Sequence, residues 1–175
     1  MKVLSFEKIS STNEKAKELA RKKIESWTII LAKEQTKGHG KSKRFWFSPE
    51  GGLYFSIVLP KSTVEDLQTL TILAAFAAAK TIKERFSLEP TIKLPNDVLL
   101  NQKKVGGILT ENVVGKNVKL SVMGIGLNTN IENFPKELKD IATSLKIELG
   151  KEVNNRIILK QIVKEIKNQL KIISE

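Results

Sequence analysis

The sequence predicts an α+β fold, in which a sheet assembled from hairpin-like pieces is combined with a few helices. Three observations support this prediction. Strand patterns follow one another across short turns more often than they alternate with helices. A long helix with one apolar face is predicted in the middle of the chain, and a second helix is predicted at its C-terminal end. The 175 residues fit one domain of ordinary size, about 100–200 residues, so we expect a single domain over residues 1–175.

The first half of the chain alternates strands with an early helix. Residues 2–9 have the period-two pattern of a short strand. Ser11 with Glu14 three residues later forms a capping box, which predicts a helix from there to about Lys23. Further strands are predicted at 27–32 and 53–59, the latter stopped by Pro60, with a polar, basic loop at 35–45.

The second half begins with the long helix, from Val64 to about Phe86. A short strand at 92–94 and a hairpin of strands 98–100 and 105–112 about Asn101-Gln102 follow. The nearly continuous apolar segment 118–127 predicts a central strand. A short helical stretch after Pro135 and a final helix at 156–173, capped by Asn154 or Asn155, complete the chain.

Composition excludes several classes of function. The chain has no cysteine, which rules out disulfides and thiol catalysis, and His39 is its single histidine, which rules out a multi-histidine zinc site. No apolar run approaches the roughly 18 residues of a membrane span, and the N-terminus lacks a secretory signal, so we expect a cytoplasmic protein. The net charge, 30 − 19 = +11, favours phosphate-bearing or acidic partners.

Four segments carry residues suited to chemistry, and each also has a plain structural interpretation. The glycines and cations of Gln35–Trp46 are suited to binding an anion, but they are also typical of an ordinary mobile loop. The segment does not match the P-loop motif G-x-x-x-x-G-K-[ST]. Lys93–Asp97 places an amide and a carboxylate at a strand end, or forms a simple turn. The glycines of Lys104–Glu111 and Gly124–Asn128 indicate either a ligand lying close to the backbone or a bulge and tight packing.

Together and in order, these segments resemble the biotin protein ligases. The loop of that family, G-R-G-R-x-G-R-x-W-x-S-P-x-G-x-L-Y-x-S, is matched by Gly38 through Ser56. Its K-W-P-N-D, K-x-G-G-I-L-x-E and G-x-G-x-N motifs are matched by Lys93–Asp97, Lys104–Glu111 and Gly124–Asn128. An early Ser-Thr-Asn is matched by Ser11–Asn13, so the resemblance spans residues 10–130.

The resemblance implies a mixed, mostly antiparallel sheet with helices packed on one face, as also in class II aminoacyl-tRNA synthetases. It implies ligation of biotin through biotinyl-5′-AMP to a lysine of a biotin carboxyl carrier protein or carboxylase subunit. The residues it implies for biotin are Ser11, Thr12, Asn13, Gln35, Gly38, His39, Gly40, Lys41, Lys104, Gly106 and Gly107. Those it implies for ATP are Arg44, Trp46, Lys93, Asn96 and Asn128, and those for catalysis are Lys104, Lys41, Arg44 and Asp97.

Further expectations follow from the same resemblance. ATP, biotin and Mg²⁺ are the expected substrates and cofactor, with Asp97 either orienting Lys104 or holding the Mg²⁺. A homodimer is expected, and neither membrane binding nor specific DNA binding is. No DNA-binding domain precedes residue 1 and no small β-domain follows residue 175 in this sequence, so we expect a catalytic domain alone.

The chain also departs from the family pattern. His39 and Lys41 replace arginines, Lys43 replaces a glycine and Leu94 replaces a tryptophan. Lysine keeps the charge of arginine but loses its planar fork, and a side chain at a glycine position hinders any positive φ there. Two alternatives therefore stay open: a lipoate or octanoate ligase of the same fold, although its R-R-x-x-G-G-G loop is missing, and a nucleic-acid- or adenylate-binding module without catalysis.

Overall fold

The computed structural model describes residues 2–22, 24–60, 66–115 and 118–173. Its strands are β1 (Val3–Ile9), β2 (Ile29–Gln35), β3 (Leu53–Val58), β4 (Thr91–Lys93), β5 (Asp97–Leu100), β6 (Lys103–Gly115) and β7 (Val118–Leu127). Its helices are α1 (Thr12–Arg21), α2 (Leu67–Phe86), α3 (Leu145–Leu149) and α4 (Asn155–Ile173), with a short 3₁₀ turn at Lys41–Lys43. None of the helices in these described ranges is both long and apolar enough to cross a bilayer.

The strands form one sheet in the order β1-β2-β3-β7-β6-β5-β4. The pair β1 and β2 is parallel, and every other neighbouring pair is antiparallel. The predicted α+β class with a mixed, mostly antiparallel sheet is therefore confirmed. The apolar strand β7 lies in the middle of the sheet, as its sequence predicted, and the whole of β3 beside it is buried.

Helices cover both faces of this sheet. The two long helices α2 and α4 pack together on one face, in a core that includes Ile29 and Ile57. The short helix α1 packs on the other face, against Ile30 and Val58. The expectation of helices on one face thus describes α2 and α4, and α1 differs from it. The reason lies in the strands: consecutive apolar residues point to opposite faces, so both faces need cover.

Most element boundaries agree with the sequence patterns. Ser11 caps α1 by accepting a hydrogen bond from the backbone N–H of Glu14, and Asn154 caps α4 through Arg156 and Ile157. Asn101 and Gln102 both have positive φ, as the two-residue hairpin turn requires. The helix α2 begins at Leu67, after an Asp66 cap, whereas the predicted start at Val64 and the predicted end of α1 at Lys23 lie outside the described residues.

Candidate active site

A cavity of about 270 Å³ opens on the α1 face of the sheet. Its walls come from the start of α1, the end of β2, the loop at 38–47 (the glycine loop), the strands β6 and β7, and the segment 134–142. Its lining includes these residues of the predicted site: Ser11, Thr12, Asn13, Gln35, His39, Gly40, Lys41, Arg44, Trp46, Asn96, Lys104, Gly107 and Asn128. Residues that are scattered along the sequence therefore meet around one space.

Two glycines form a flat floor beneath an indole ring. Gly107 of β6 pairs with Gly126 of β7, and Trp46 lies across both. A Cβ atom on Gly126 would be 2.6 Å from Nε1 of Trp46, and one on Gly107 would be 3.0 Å from its ring carbon Cζ3. The buried Nε1 of Trp46 has no hydrogen-bond partner within the described part of the chain. These glycines are needed because an aromatic ring lies directly on the sheet.

One lysine is held at the edge of this floor. The ammonium of Lys104 lies 2.7 Å from Oδ1 of Asp97 and 5.0 Å from the centre of the Trp46 ring, within the range of a cation–π contact. The Asn96 amide donates to the same Asp97 oxygen at 2.9 Å. Asp97 lies at the start of β5 and Lys104 near the start of β6. Because these two strands form a hairpin, the fold brings the two charged side chains together. Asp97 therefore fixes a positive charge beside the cavity.

The far end of the cavity is a polar cluster beneath the start of α1. Both the backbone N–H and the hydroxyl of Thr12 lie within hydrogen-bond distance of the Gln35 side-chain oxygen, at 2.8 and 3.1 Å. The fully buried Ser56 hydroxyl contacts Oγ1 of Thr12 at 2.8 Å and Oδ1 of Asn13 at 2.6 Å. This end can therefore exchange hydrogen bonds with a polar ring.

The glycine loop folds back on itself and forms one wall of the cavity. The N–H of Gly40 donates to the carbonyl of Arg44, and the N–H of Trp46 donates to that of Gly38. Lys41 and Arg44 are exposed and line the cavity, so they bring positive charge to its entrance. Lys43 has φ +58°, so the position where the family motif has glycine does require a left-handed backbone.

Some predicted residues lie outside the cavity lining. Gly38 is buried against Ser48 and the Trp46 carbonyl, and a Cβ on Gly106 would point away from the cavity, 2.4 Å from Cδ2 of Leu127. Lys93 is exposed on the edge strand β4. Asp97 is not part of the lining either, and it contacts the cavity only through its ion pair with Lys104.

Asn128 lies in the lining, but its amide N–H groups are already engaged. They donate to the carbonyls of Lys104 and Thr143. The structural interpretation, in which Asn128 holds the end of β7, thus accounts for its donors. To donate hydrogen bonds to an adenosine, the Asn128 amide would first have to break its hydrogen bonds to the Lys104 and Thr143 carbonyls.

Sequence reasoning missed one wall of the cavity and several supporting side chains. Phe134, Leu138, Ile141 and Ala142 close one side, and the N–H of Lys104 donates to the carbonyl of Ile141 to hold this segment against β6. The supporting side chains are Ser48, Ser56 and Glu111. An apolar helical pattern after Pro135 looks like ordinary core, so it carried no signal of a cavity wall.

A group of possible metal ligands lies beside the cavity. Ligand atoms of Glu14, His39 and Glu111 lie within 4.8 Å of one another. The ammonium of Lys17 already lies 2.6 Å from the Glu14 carboxylate and 3.0 Å from that of Glu111. Burial disfavours its charge, but the hydrogen bonds to the two carboxylates outweigh that effect and raise the pKa of Lys17. The ammonium of Lys17 thus occupies the space between the two carboxylates and offsets one of their two charges, and we assign no metal here.

Comparison with known proteins agrees with this geometry. The sequence model of the biotin/lipoate A/B protein ligase family matches residues 5–128. The bifunctional ligase/repressor BirA of Bacillus subtilis is 39% identical over 160 residues, which cover 89% of this chain and 49% of that protein. A biotin–[acetyl-CoA-carboxylase] ligase of Paracoccus denitrificans is 36% identical over 122 residues, 67% of this chain and 50% of the relative. The chain thus spans about half the length of these relatives.

A solved structure shares nearly the whole fold. The biotin protein ligase of Aquifex aeolicus, in complex with biotin and ATP, superimposes with a TM-score of 0.90 at 34% identity. The match covers 99% of this chain and 72% of that one. The family match extends over most of the sequence and includes the segments that line the cavity, except the wall at 134–142. The chain belongs to the biotin/lipoate A/B protein ligase family.

Proposed function

We propose that this chain activates biotin with ATP, forming biotinyl-5′-AMP and pyrophosphate, and then transfers the biotinyl group to a carrier lysine. The observation that carries the proposal is the fixed ammonium of Lys104, which lines the same cavity as the polar cluster of Thr12, Asn13 and Gln35 and the exposed cations Lys41 and Arg44. Family membership supports it, as do the ligase names and the bound biotin and ATP of the relatives. The chain as a whole acts, in this proposal, as a catalytic domain.

The chemistry explains why positive charge is needed. In the first step a carboxylate oxygen of biotin attacks the α-phosphorus of ATP, and pyrophosphate leaves. Two anions must approach each other, so cations near both lower the barrier. Lys104 is placed to pair with the carboxylate and then with the adenylate phosphate, while Lys41 and Arg44 neutralise phosphates at the mouth.

The rest of the cavity accommodates the two substrates. The polar cluster of Ser11, Thr12, Asn13 and Gln35 faces the ring of biotin, and the Gly107 floor leaves room for its acyl chain. Trp46 and Asn96 lie near Lys104, where the nucleotide would meet that chain. Lys93 and Asn128 remain predicted nucleotide residues with weaker geometric support, because the first is remote from the lining and the second is already hydrogen-bonded.

For Asp97, the contacts favour orientation of Lys104 over metal binding. Its Oδ1 already accepts from the Lys104 ammonium and the Asn96 amide, and an ammonium 2.7 Å away repels a divalent cation. The residues present therefore fit a resident Mg²⁺ at Asp97 poorly. We propose that Mg²⁺ accompanies the ATP phosphates, which are its usual ligands.

In the second step, the neutral ε-amine of an acceptor lysine attacks the carbonyl carbon of the mixed anhydride, and AMP leaves. The proposed acceptor is a biotin carboxyl carrier protein or carboxylase subunit, in line with the Paracoccus relative, which is a biotin–[acetyl-CoA-carboxylase] ligase. A homodimer, a cytoplasmic location and the lack of specific DNA binding remain predictions from the sequence. Sedimentation analysis tests the first of them.

The proposal is tested by incubating the purified chain with MgATP, biotin and a biotin carboxyl carrier domain. Mass spectrometry should find one biotinyl group on the acceptor lysine of that domain. The matched control is the same carrier with this lysine replaced by arginine, which should gain no mass. An unmodified carrier in a reaction that contains active substrates would contradict transfer.

Asp97→Asn is expected to lower the rate of biotin-dependent pyrophosphate release about 10-fold, because hydrogen bonds to charged groups contribute roughly 1.5–3 kcal/mol. The Mg²⁺ concentration needed for half-maximal rate should stay unchanged if Asp97 acts by orienting Lys104. A large increase in that concentration would assign Asp97 to the metal instead. Initial rates over a Mg²⁺ titration make this measurement.

The altered glycine loop leads to a separate prediction about retention of the intermediate. The left-handed backbone at Lys43 costs a non-glycine residue about 1–2 kcal/mol, and Lys41 lacks the bidentate fork of arginine. We expect the Lys41→Arg, Lys43→Gly variant to hydrolyse biotinyl-5′-AMP several-fold more slowly than the wild type when no acceptor is present. Adenylate hydrolysis that is no faster in the wild type would contradict this.

A further inference from the structure

The amide of Asn13 is fixed in one orientation by three groups on two strands, β6 and β3. Its Nδ2 donates to the carbonyl of Leu109 at 3.2 Å and to Oε2 of Glu111 at 2.8 Å. Its Oδ1 lies 2.6 Å from the hydroxyl of Ser56. A flipped amide would set its oxygen against a carboxylate and a carbonyl, which are both acceptors. The two acceptors on β6 therefore fix the Asn13 amide with its nitrogen toward β6 and its oxygen toward Ser56.

The hydrogen bonds of Asn13 within the protein leave one acceptor position of its side chain for a ligand. Asn13 Oδ1 can only accept, so Ser56 uses its single hydroxyl hydrogen there, and the one hydrogen of the Thr12 hydroxyl serves either Ser56 or the Gln35 side-chain oxygen. Both N–H hydrogens of Asn13 are used within the protein. What the side chain can still offer is the second lone pair of Oδ1, so Asn13 acts toward a ligand as an acceptor.

Glu111 is held in place from its other side. Its Oε1 lies 3.0 Å from the ammonium of Lys17, which also pairs with Glu14. One oxygen of the carboxylate thus faces a cation while the other faces the Asn13 amide. The Glu111 side chain is about one-quarter exposed, so it contacts solvent as well as Lys17. The carboxylate reaches the cavity indirectly, through Asn13.

We propose that Glu111 is a positioning residue for the acid substrate: through Asn13 it fixes an acceptor at the inner end of the cavity. That acceptor selects a ring that carries an N–H donor, as the cyclic urea of biotin does. The dithiolane ring of lipoate has no N–H, so the second lone pair of the buried Asn13 Oδ1 would stay unpaired. This inference rests on the proposed function and adds the group that sets the choice of substrate.

The test measures the KM for biotin in pyrophosphate release at saturating MgATP. In Glu111→Gln, Lys17 still demands the acceptor oxygen, which turns the donor end of the new amide toward Asn13. We expect the KM for biotin to rise about 10- to 100-fold, since a mispaired buried polar group costs roughly 1–3 kcal/mol. The kcat and the KM for ATP should stay within about twofold of the wild-type values.

Two further variants separate positioning from simple loss of structure. Glu14→Gln removes the other carboxylate from Lys17 without touching Asn13, so the KM for biotin should be unchanged. Lys17→Met combined with Glu111→Gln frees the amide oxygen to accept from Asn13, so the KM should fall back toward that of the wild type. Damage to the fold would instead become worse in the double variant, and thermal unfolding of each protein monitors this.

The wild type provides an independent comparison of ligands. Dethiobiotin keeps both urea N–H groups but lacks the sulfur ring, whereas lipoate keeps a sulfur ring without N–H. The wild type should use biotin and dethiobiotin and should not use lipoate. Equal use of lipoate, an unchanged KM in Glu111→Gln, an equal rise in Glu14→Gln, or no recovery in the double variant overturns this proposal alone. No release by the wild type with biotin overturns the proposed function as well.

Discussion

Replacement of Lys104 by methionine is expected to lower the rate of biotin-dependent pyrophosphate release by about 100- to 1,000-fold. Methionine keeps much of the length of the side chain but removes the ammonium that Asp97 and Trp46 hold beside the cavity. No other described cation is fixed by a carboxylate within the cavity lining at a comparable distance, so the loss should not be compensated. Initial rates at saturating biotin and MgATP measure the effect.

The neighbouring lysine provides a matched control. Lys103 precedes Lys104 on β6, and its ammonium donates to the carbonyl of Lys139 at an exposed position. Lys103→Met changes the net charge by the same amount and should leave the rate within about twofold. If both variants lose activity equally, general positive charge explains the result and the specific role of Lys104 is wrong.

The second large effect is expected for Gly124→Ala. A Cβ atom at this position would lie 2.1 Å from Oδ1 of Asn13 and would clash with the amide of that side chain. Asn13 must therefore move, and overpacking of this kind costs about 1–3 kcal/mol of the free energy of unfolding. Biotin binding should be lost together with that stability. Thermal unfolding and calorimetric titration with biotin measure the two effects.

A double variant separates the two consequences. Asn13→Ala combined with Gly124→Ala gives the new methyl group room, so part of the stability should return while biotin binding stays lost. Ser121→Ala, on the same strand with an exposed hydroxyl bonded to Asn112, should change neither. Normal biotin binding by Gly124→Ala would contradict the placement of Asn13 at the ligand.

Much of the fold could be predicted because local patterns and tertiary structure agree here. The Ser11 cap, the Asn101-Gln102 turn and the apolar strand β7 each act within a few residues, and each is found where its pattern indicated. The placement of α1 could not be predicted in the same way. It depends on which face of the sheet a connection crosses, and consecutive apolar residues such as Ile29 and Ile30 are compatible with cover on either face.

The candidate site was predictable where it rests on motifs and unpredictable where it rests on long-range contacts. The Lys104–Asp97 pair joins two neighbouring motif segments, and its geometry agrees with the expected orienting role. Ser56 and Glu111 act through Asn13, which lies 43 and 98 residues away in sequence. Both residues end family motifs that the sequence matches, but a motif position does not show which distant side chain it contacts, so only the folded chain reveals Asn13 as their partner.

Exchange of labelled pyrophosphate into ATP by the purified chain, with biotin, with lipoate and with neither acid, tests activation of the carboxylate without any other protein. Because formation of the adenylate is reversible, exchange requires activation of the carboxylate but no carrier protein. We predict exchange that depends on biotin and is lost in Lys104→Met. Exchange with lipoate and not with biotin, or no exchange with either acid in a folded protein, would contradict the account.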